Sequence, residues 1–248
     1  MPSSHPKYRR IVIDGFFDGS VPREVYLSTV GADGLSMIKA REYEAAIVNI
    51  VGDLGGSKVG GLFMEHLNDV GSPRAGILVM PFDGSVPGSD ETHVTSAVRV
   101  HDAYARNSPL PGNKGQGTGE GSSAKIRFDP KAPSSCGVLG GAAAILFHEL
   151  VHGMRAISGA MVYKRLSGYE FLEEFVAITL TNMLLSELGK PLRGGHDCQR
   201  MQSSPETFRS NYAPWLQHMK EDVKNRGLFA KLGALKEQVV PWNPLRGW

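Results

Sequence analysis

The sequence has only two cysteines, no long apolar run and almost no net charge. Cys136 and Cys198 are too few to form a disulfide framework in a chain of 248 residues, so we expect a reducing environment. The longest mostly apolar stretch, 137–147, is far shorter than the ~20 residues that cross a bilayer, which argues against a membrane span. Lys and Arg number 27 against 25 Asp and Glu, and no basic run interleaves with aromatic residues, so we expect no nucleic-acid binding.

The first ten residues also lack the apolar segment that defines a standard secretory signal. They contain Ser, Pro and basic residues instead, a composition typical of a mobile terminus. We therefore predict that residues 1–9 are disordered. If the protein is exported, this start favours a route without a standard signal peptide.

The length fits one globular domain, so we predict a single domain over 1–248. Its first half is predicted to combine short strands at 10–14, 24–29, 46–51 and 76–80 with a helix at 34–44. Residues 107–123 are rich in Asn, Ser, Pro and Gly and predict a flexible loop. The next segment, 124–129, ends before a proline and is predicted to be an edge strand.

The second half of the chain is predicted to be helical. Apolar patterning and terminal glycines indicate helices at 137–157, 169–188, 205–220 and 228–238, with an irregular tail at 241–248. Together the two halves predict an α+β fold with a small mixed sheet and a helical C-terminal lobe.

The residues that carry chemistry begin at 148, where the sequence is HELVH, an HExxH pattern. Residues four apart on a helix lie on the same face, so the imidazoles of His148 and His152 are placed to hold one metal ion. Glu149 lies about 100° around the helix from His148, beside the open position of the metal and not among its ligands. Zinc lowers the pKa of a water to about 7, and a carboxylate placed there completes the deprotonation. The pattern predicts one Zn²⁺ per chain with Glu149 as general base.

A catalytic zinc normally has three protein ligands, so a third must come from elsewhere. The extended pattern HExxHxxGxxH is excluded, because Arg155 and Ser158 stand where it needs Gly and His. The next predicted helix offers Glu170, Glu173 and Glu174. Helical phase places Glu174 nearer the apolar stripe, which makes it the favoured ligand; Glu173 is the alternative, and either could instead lie on a solvated face.

Two further residues follow that helix in a glycine-rich turn. Arg193 and His196 are candidates to stabilise the oxyanion of a tetrahedral intermediate, provided that the turn folds back toward the metal. An ordinary helix-end arginine and a surface histidine are equally compatible with the pattern. His196 with Cys198 is a weaker alternative metal pair.

These residues resemble a known family, the NleD-like zinc metallopeptidases that bacteria deliver into host cells by type III secretion, which are related to the HopH-type effectors of plant pathogens. The resemblance covers much of the second half. It rests on the segment IRFDP at 126–130, on HELVHGMRAISG at 148–159, on the glutamate pair at 173–174, and on ELGKPLR at 187–193.

The resemblance implies a zincin-like gluzincin fold and a virulence-associated endopeptidase that acts in the host cytoplasm. Its partner would be a host signalling protein, and the family is associated with mitogen-activated protein kinases. The strand at 125–129 is predicted to pair with an extended substrate, and the glycine-rich loop before it to act as a lid. Two alternatives stay open: a binding protein whose metal is structural, and a zinc hydrolase of small amides.

Overall fold

A computed structural model describes residues 3–15, 34–71, 75–81, 96–100, 117, 119–128, 130, 141–195 and 203–248. Within them lie seven helices and seven short strands. The strands are β1 Ser3–Ser4, β2 Ile11–Ile13, β3 Ile77–Pro81, β4 Ser96–Val100, β5 Ala124–Phe128, β6 Arg165–Leu166 and β7 Glu170–Phe171. The helices are α1 Gly34–Gly56, α2 Lys58–Asp69, α3 Gly141–Ser158, α4 Leu172–Glu187, α5 Pro205–Asn211, α6 Ala213–Glu221 and α7 Arg226–Gly233.

Five strands form a mixed sheet in the order β1-β2-β3-β5-β4. Strands β2, β3 and β5 run parallel, whereas β1 and β4 pair antiparallel with their neighbours. The alternating side chains of β5, Ala124, Ile126 and Phe128, are buried. Strands β6 and β7 form a separate antiparallel pair just before α4.

Helix α3 packs against β3, β4 and β5 and, on another side, against α4 and α1. It is buried from Leu146 to Ser158 at every residue except Glu149. Helix α4 is buried from Leu172 to Leu185 at every residue except Glu174. Within each of these two buried stretches, the one half-buried residue is therefore a glutamate. Both helices end before a glycine with positive φ, Gly159 at 68° and Gly189 at 63°, as predicted from the sequence.

Two strand predictions are corrected by the structure. Residues 46–51 belong to α1 and not to the sheet, because Ile47, Val51 and Leu54 repeat at helical spacing and bury one face. Strand β5 is not an edge, since β3 and β4 pair with its two sides. Pro130 lies beyond the last paired residue, Phe128, so its missing N–H does not limit the pairing.

The start of the chain also differs from the predicted disorder of residues 1–9. In the described part, 3–9, β1 pairs with β2, and both His5 and Tyr8 are buried. The backbone N–H groups of Lys7 and Tyr8 donate to His5 Nδ1, which gives this segment its own turn. A short apolar anchor such as Tyr8 is enough to order a terminus that is polar on average.

Several other predictions agree with the structure only in part. The helix predicted at 205–220 is divided at Tyr212 into α5 and α6. The strand predicted at 24–29 lies outside the described residues, as do 107–116 and 118 of the predicted loop. The rest of that loop is bonded to the chain around the end of α3: Gly117 donates to Met161 O, Gly119 to Gly159 O and Ser122 to Ala156 O. No helix among the described residues is long and apolar enough to cross a membrane.

Candidate metal centre

The side chains of His148, His152 and Glu174 converge where α3 crosses the first turn of α4. His148 and His152 lie one turn apart on α3, and their Nε2 atoms are 3.2 Å from each other. Glu174 enters from α4, with Oε2 3.2 Å from His148 Nε2 and Oε1 3.1 Å from His152 Nε2. The three residues form a group whose ligand atoms all lie within 4.8 Å of one another.

These separations suit a tetrahedral metal ion. Ligand atoms about 2.0–2.1 Å from zinc stand about 3.4 Å from each other in a tetrahedron. The two Nε2 atoms are 3.2 Å apart, and each lies 3.1–3.2 Å from a different oxygen of Glu174, which is close to that spacing. Two imidazole nitrogens and a carboxylate oxygen are also a donor set that zinc prefers.

The hydrogen bonds around the group also fit a cation. Among the described residues, Glu174 Oε2 is buried and has no hydrogen-bond partner, although it lies within ion-pair distance of His148. A carboxylate oxygen buried without a partner is costly, and a cation between the three side chains would remove that cost. The residues present therefore fit a bound Zn²⁺.

Without a metal, the two imidazoles differ in pKa. Burial lowers the pKa of His148, and the carboxylate of Glu174 beside it only partly opposes this. Burial also lowers the pKa of His152, but Glu174 outweighs it and raises that pKa to about 9. Burial raises the pKa of Glu174, yet the two histidines hold it well below its usual range. The metal-free site is therefore an ionised carboxylate beside one protonated imidazole, His152.

Glu149 lies on α3 next to His148 and is partly exposed. Its negative charge is among the smaller influences that raise the pKa of both histidines. It is not a member of the ligand group. A place for this carboxylate beside the metal stays a prediction from the HExxH spacing.

Glu173, the alternative ligand, points away from the group. It is 1% exposed and forms an ion pair with Arg155 of α3, so the solvated face considered for it is wrong. The sequence analysis missed this buried pair. A signal was present, because an arginine within an apolar helix needs a buried acidic partner.

Of the other two predicted site residues, the structure describes only Arg193. The Arg193 backbone is anchored to α4, where Asn182 Oδ1 accepts from its N–H at 2.8 Å and Asn182 Nδ2 donates to its carbonyl at 2.7 Å. Asn182 is eight residues beyond Glu174, about 12 Å along the helix axis. His196 and Cys198 lie outside the described residues. An oxyanion role for Arg193 or His196 therefore stays a prediction.

Comparison with known proteins gives the class and then the family. The model of a peptidase family matches residues 32–176, more than half of the chain, from the segment before α1 to the first turns of α4. The match includes all three residues of the ligand group and Glu149. The chain belongs to this family, peptidase M91, whose members are described as effector proteins. No curated protein matches the chain.

Proposed function

We propose that the chain is a zinc-dependent endopeptidase, a single domain with a zincin-like fold, in which His148, His152 and Glu174 hold the ion. The observation that carries the proposal is the convergence of His148, His152 and Glu174, whose ligand atoms all lie within 4.8 Å of one another. Membership of a peptidase family supports it independently. Zinc bound there would polarise a peptide carbonyl and make a water more acidic.

Glu149 acts as the general base in this proposal. Its carboxylate takes a proton from the attacking water and returns it to the leaving amine. Burial of His148 and His152 excludes water from their side of the site, while the partial exposure of Glu149 leaves an approach for substrate. Arg193 or His196 would stabilise the developing oxyanion if the turn after α4 brings either of them to the carbonyl.

The substrate strand must differ from the one predicted at 125–129. Both sides of β5 are already paired, so its backbone groups are not available to a peptide. Strand β4 lies at one edge of the described sheet, at the opposite side from β1, and packs against α3. We propose that β4 takes the pairing role, because an outer strand beside the metal helix can align an extended peptide.

The target is proposed to be a host protein, since the family consists of effector proteins. The resemblance to NleD-like and HopH-type effectors favours a signalling protein such as a mitogen-activated protein kinase. It also favours export without a standard signal peptide and action in the host cytoplasm. These choices rest on the resemblance and on the family, not on the geometry of the site.

The test uses zinc-loaded full chain incubated with a host-cell lysate, followed by mapping of new protein termini. The key variant is Glu149→Gln, which keeps size and removes the base. The matched control is Glu65→Gln, the same change at an exposed position of α2. We expect new termini with the wild type and with Glu65→Gln, and none with Glu149→Gln. Equal cleavage by Glu149→Gln would refute the proposal; zinc binding without any cleavage would favour a binding protein.

A further inference from the structure

Beside the metal group lies a second set of contacts between α3 and α4, centred on Arg155. Arg155 is 0% exposed and follows His152 by three residues. Its Nε donates to Glu173 Oε2 at 2.7 Å and its Nη2 to Glu173 Oε1 at 2.8 Å. This two-pronged pair has a rigid geometry, because the guanidinium is planar and both of its bonds are short.

The two sets of contacts lie on one turn of α4. Glu173 and Glu174 are adjacent, so their side chains leave the helix about 100° apart. Glu174 faces the histidines, whereas Glu173 faces Arg155. Any rotation or sliding of this turn that moves Glu174 away from His148 and His152 must also break the Arg155 pair.

The first turn of α4 has little local support of its own. Its N-cap residue, Phe171, makes no side-chain capping hydrogen bond. The residue before it, Glu170, has φ of 64°, a region that side-chain-bearing residues rarely adopt. Glu173 Oε1 instead accepts from Val162 N at 2.5 Å, in addition to its bonds with Arg155. Contacts with other segments therefore hold this turn: those of the Glu173 carboxylate, and the hydrogen bond that Leu172 N donates to Lys164 O.

Asp222 extends the contacts to the C-terminal helices. Arg155 Nη1 donates to Asp222 Oδ2 at 2.6 Å, and Asp222 lies between α6 and α7. Asn225 Nδ2 donates to the same oxygen at 2.8 Å, and Asn225 Oδ1 lies 3.0 Å from His66 Nε2 of α2. The buried guanidinium thus joins α3, α4 and the segment between α6 and α7, and Asn225 connects that segment to α2.

From these contacts we propose that Arg155, Glu173 and Asp222 form a positioning network that sets the distance between Glu174 and the two histidines. Arg155 is a positioning residue, and Glu173 serves the site through α4 without binding the metal. The inference rests on the proposed function insofar as it takes the ligand group to bind zinc. Mutation of groups that orient metal ligands commonly weakens metal binding about 10- to 100-fold.

The test measures the zinc dissociation constant of the purified full chain by competition with a chelator. The variant Arg155→Met/Glu173→Gln removes both charges of this pair, and Asp222 keeps the hydrogen bonds that Asn225 and Lys224 donate to it. We expect about 10- to 100-fold weaker zinc binding in the folded variant. Arg155→Lys keeps the charge but loses the planar guanidinium. The zinc affinity of this variant should lie between those of the wild type and the double variant.

The matched control is Leu232→Ala, which removes buried apolar contacts in α7 without touching the network. It should lower stability while its folded form binds zinc as tightly as the wild type. Wild-type affinity in the folded double variant, or in Arg155→Lys should the double variant fail to fold, would overturn the inference. Failure of the wild type itself to bind zinc would instead refute the proposed function.

Discussion

Substitution of Gly153, the residue after His152, tests how α3 packs against the sheet. A Cβ added at Gly153 would stand 2.6 Å from Cδ1 and 3.1 Å from Cγ1 of Ile77 on β3. Ordinary carbon contacts are about 3.5–4.0 Å, so Gly153→Ala must displace Ile77 by roughly 1 Å. Ile77 is 0% exposed, and packed protein interiors hold few voids into which a side chain can move. Overpacking of this kind costs about 1–3 kcal/mol.

Alanine also favours a helix over glycine by about 1 kcal/mol, which partly hides that cost. Gly52 provides the matched control, because it lies within α1 and a Cβ there has nothing within 4 Å. The helix preference is common to both changes and cancels in their difference. Gly153→Ala should therefore be less stable than Gly52→Ala by about 1–3 kcal/mol.

The assay is urea unfolding of the metal-free chain, with midpoints and slopes compared among variants. Adding Ile77→Val to Gly153→Ala deletes the colliding Cδ1 and should recover part of the loss. The same Ile77→Val change in the wild type should instead cost about 0.5–1.5 kcal/mol. Equal stabilities of Gly153→Ala and Gly52→Ala would show that α3 does not lie against β3 at this residue.

Two further predictions concern the metal-free site and the start of α2. The pKa of His152 is raised to about 9 in the folded protein. The stabilisation that protonated His152 gives the fold is therefore complete below about pH 6.5 and is lost as the pH rises through about 9. The thermal midpoint of chelator-treated protein should fall over this window, and a midpoint that rises there would contradict the assignment; the lowered pKa of His148 acts only at lower pH. Glu187 accepts from the N–H groups of Lys58 and Val59 at 2.6 and 2.8 Å, so Glu187→Gln should cost about 0.5–2 kcal/mol in urea unfolding. Exposed Glu65→Gln is its control, and equal stability of the two variants would show that Glu187 does not cap α2.

The ligand group was predictable from sequence because local spacing determines most of it. A sequence separation of four between His148 and His152 makes about one helical turn, and the structure has both residues on α3 as that spacing requires. Helical phase also favoured Glu174 over Glu173, and only Glu174 joins the ligand group. Each of these inferences needs only the periodicity of one helix.

The parts that failed depend on contacts between distant segments. The partner of Arg155 at Asp222 is 67 residues away, and no local pattern indicates it. Strand β5 could not be placed inside the sheet, because the pairing of β4 with it is a property of the whole sheet. The Ile and Val run at 46–51 has strand-like composition, but packing of Ile47 and Val51 on one helix face decides its structure.

The most direct test of the metal centre is a crystal of the chain grown with zinc and measured at the zinc absorption edge. One anomalous peak is predicted about 2.0–2.2 Å from His148 Nε2, His152 Nε2 and a carboxylate oxygen of Glu174. The peak should be absent in a crystal of Glu174→Ala measured at the same zinc concentration. A peak at other residues, or no peak at saturating zinc and neutral pH, would contradict the account.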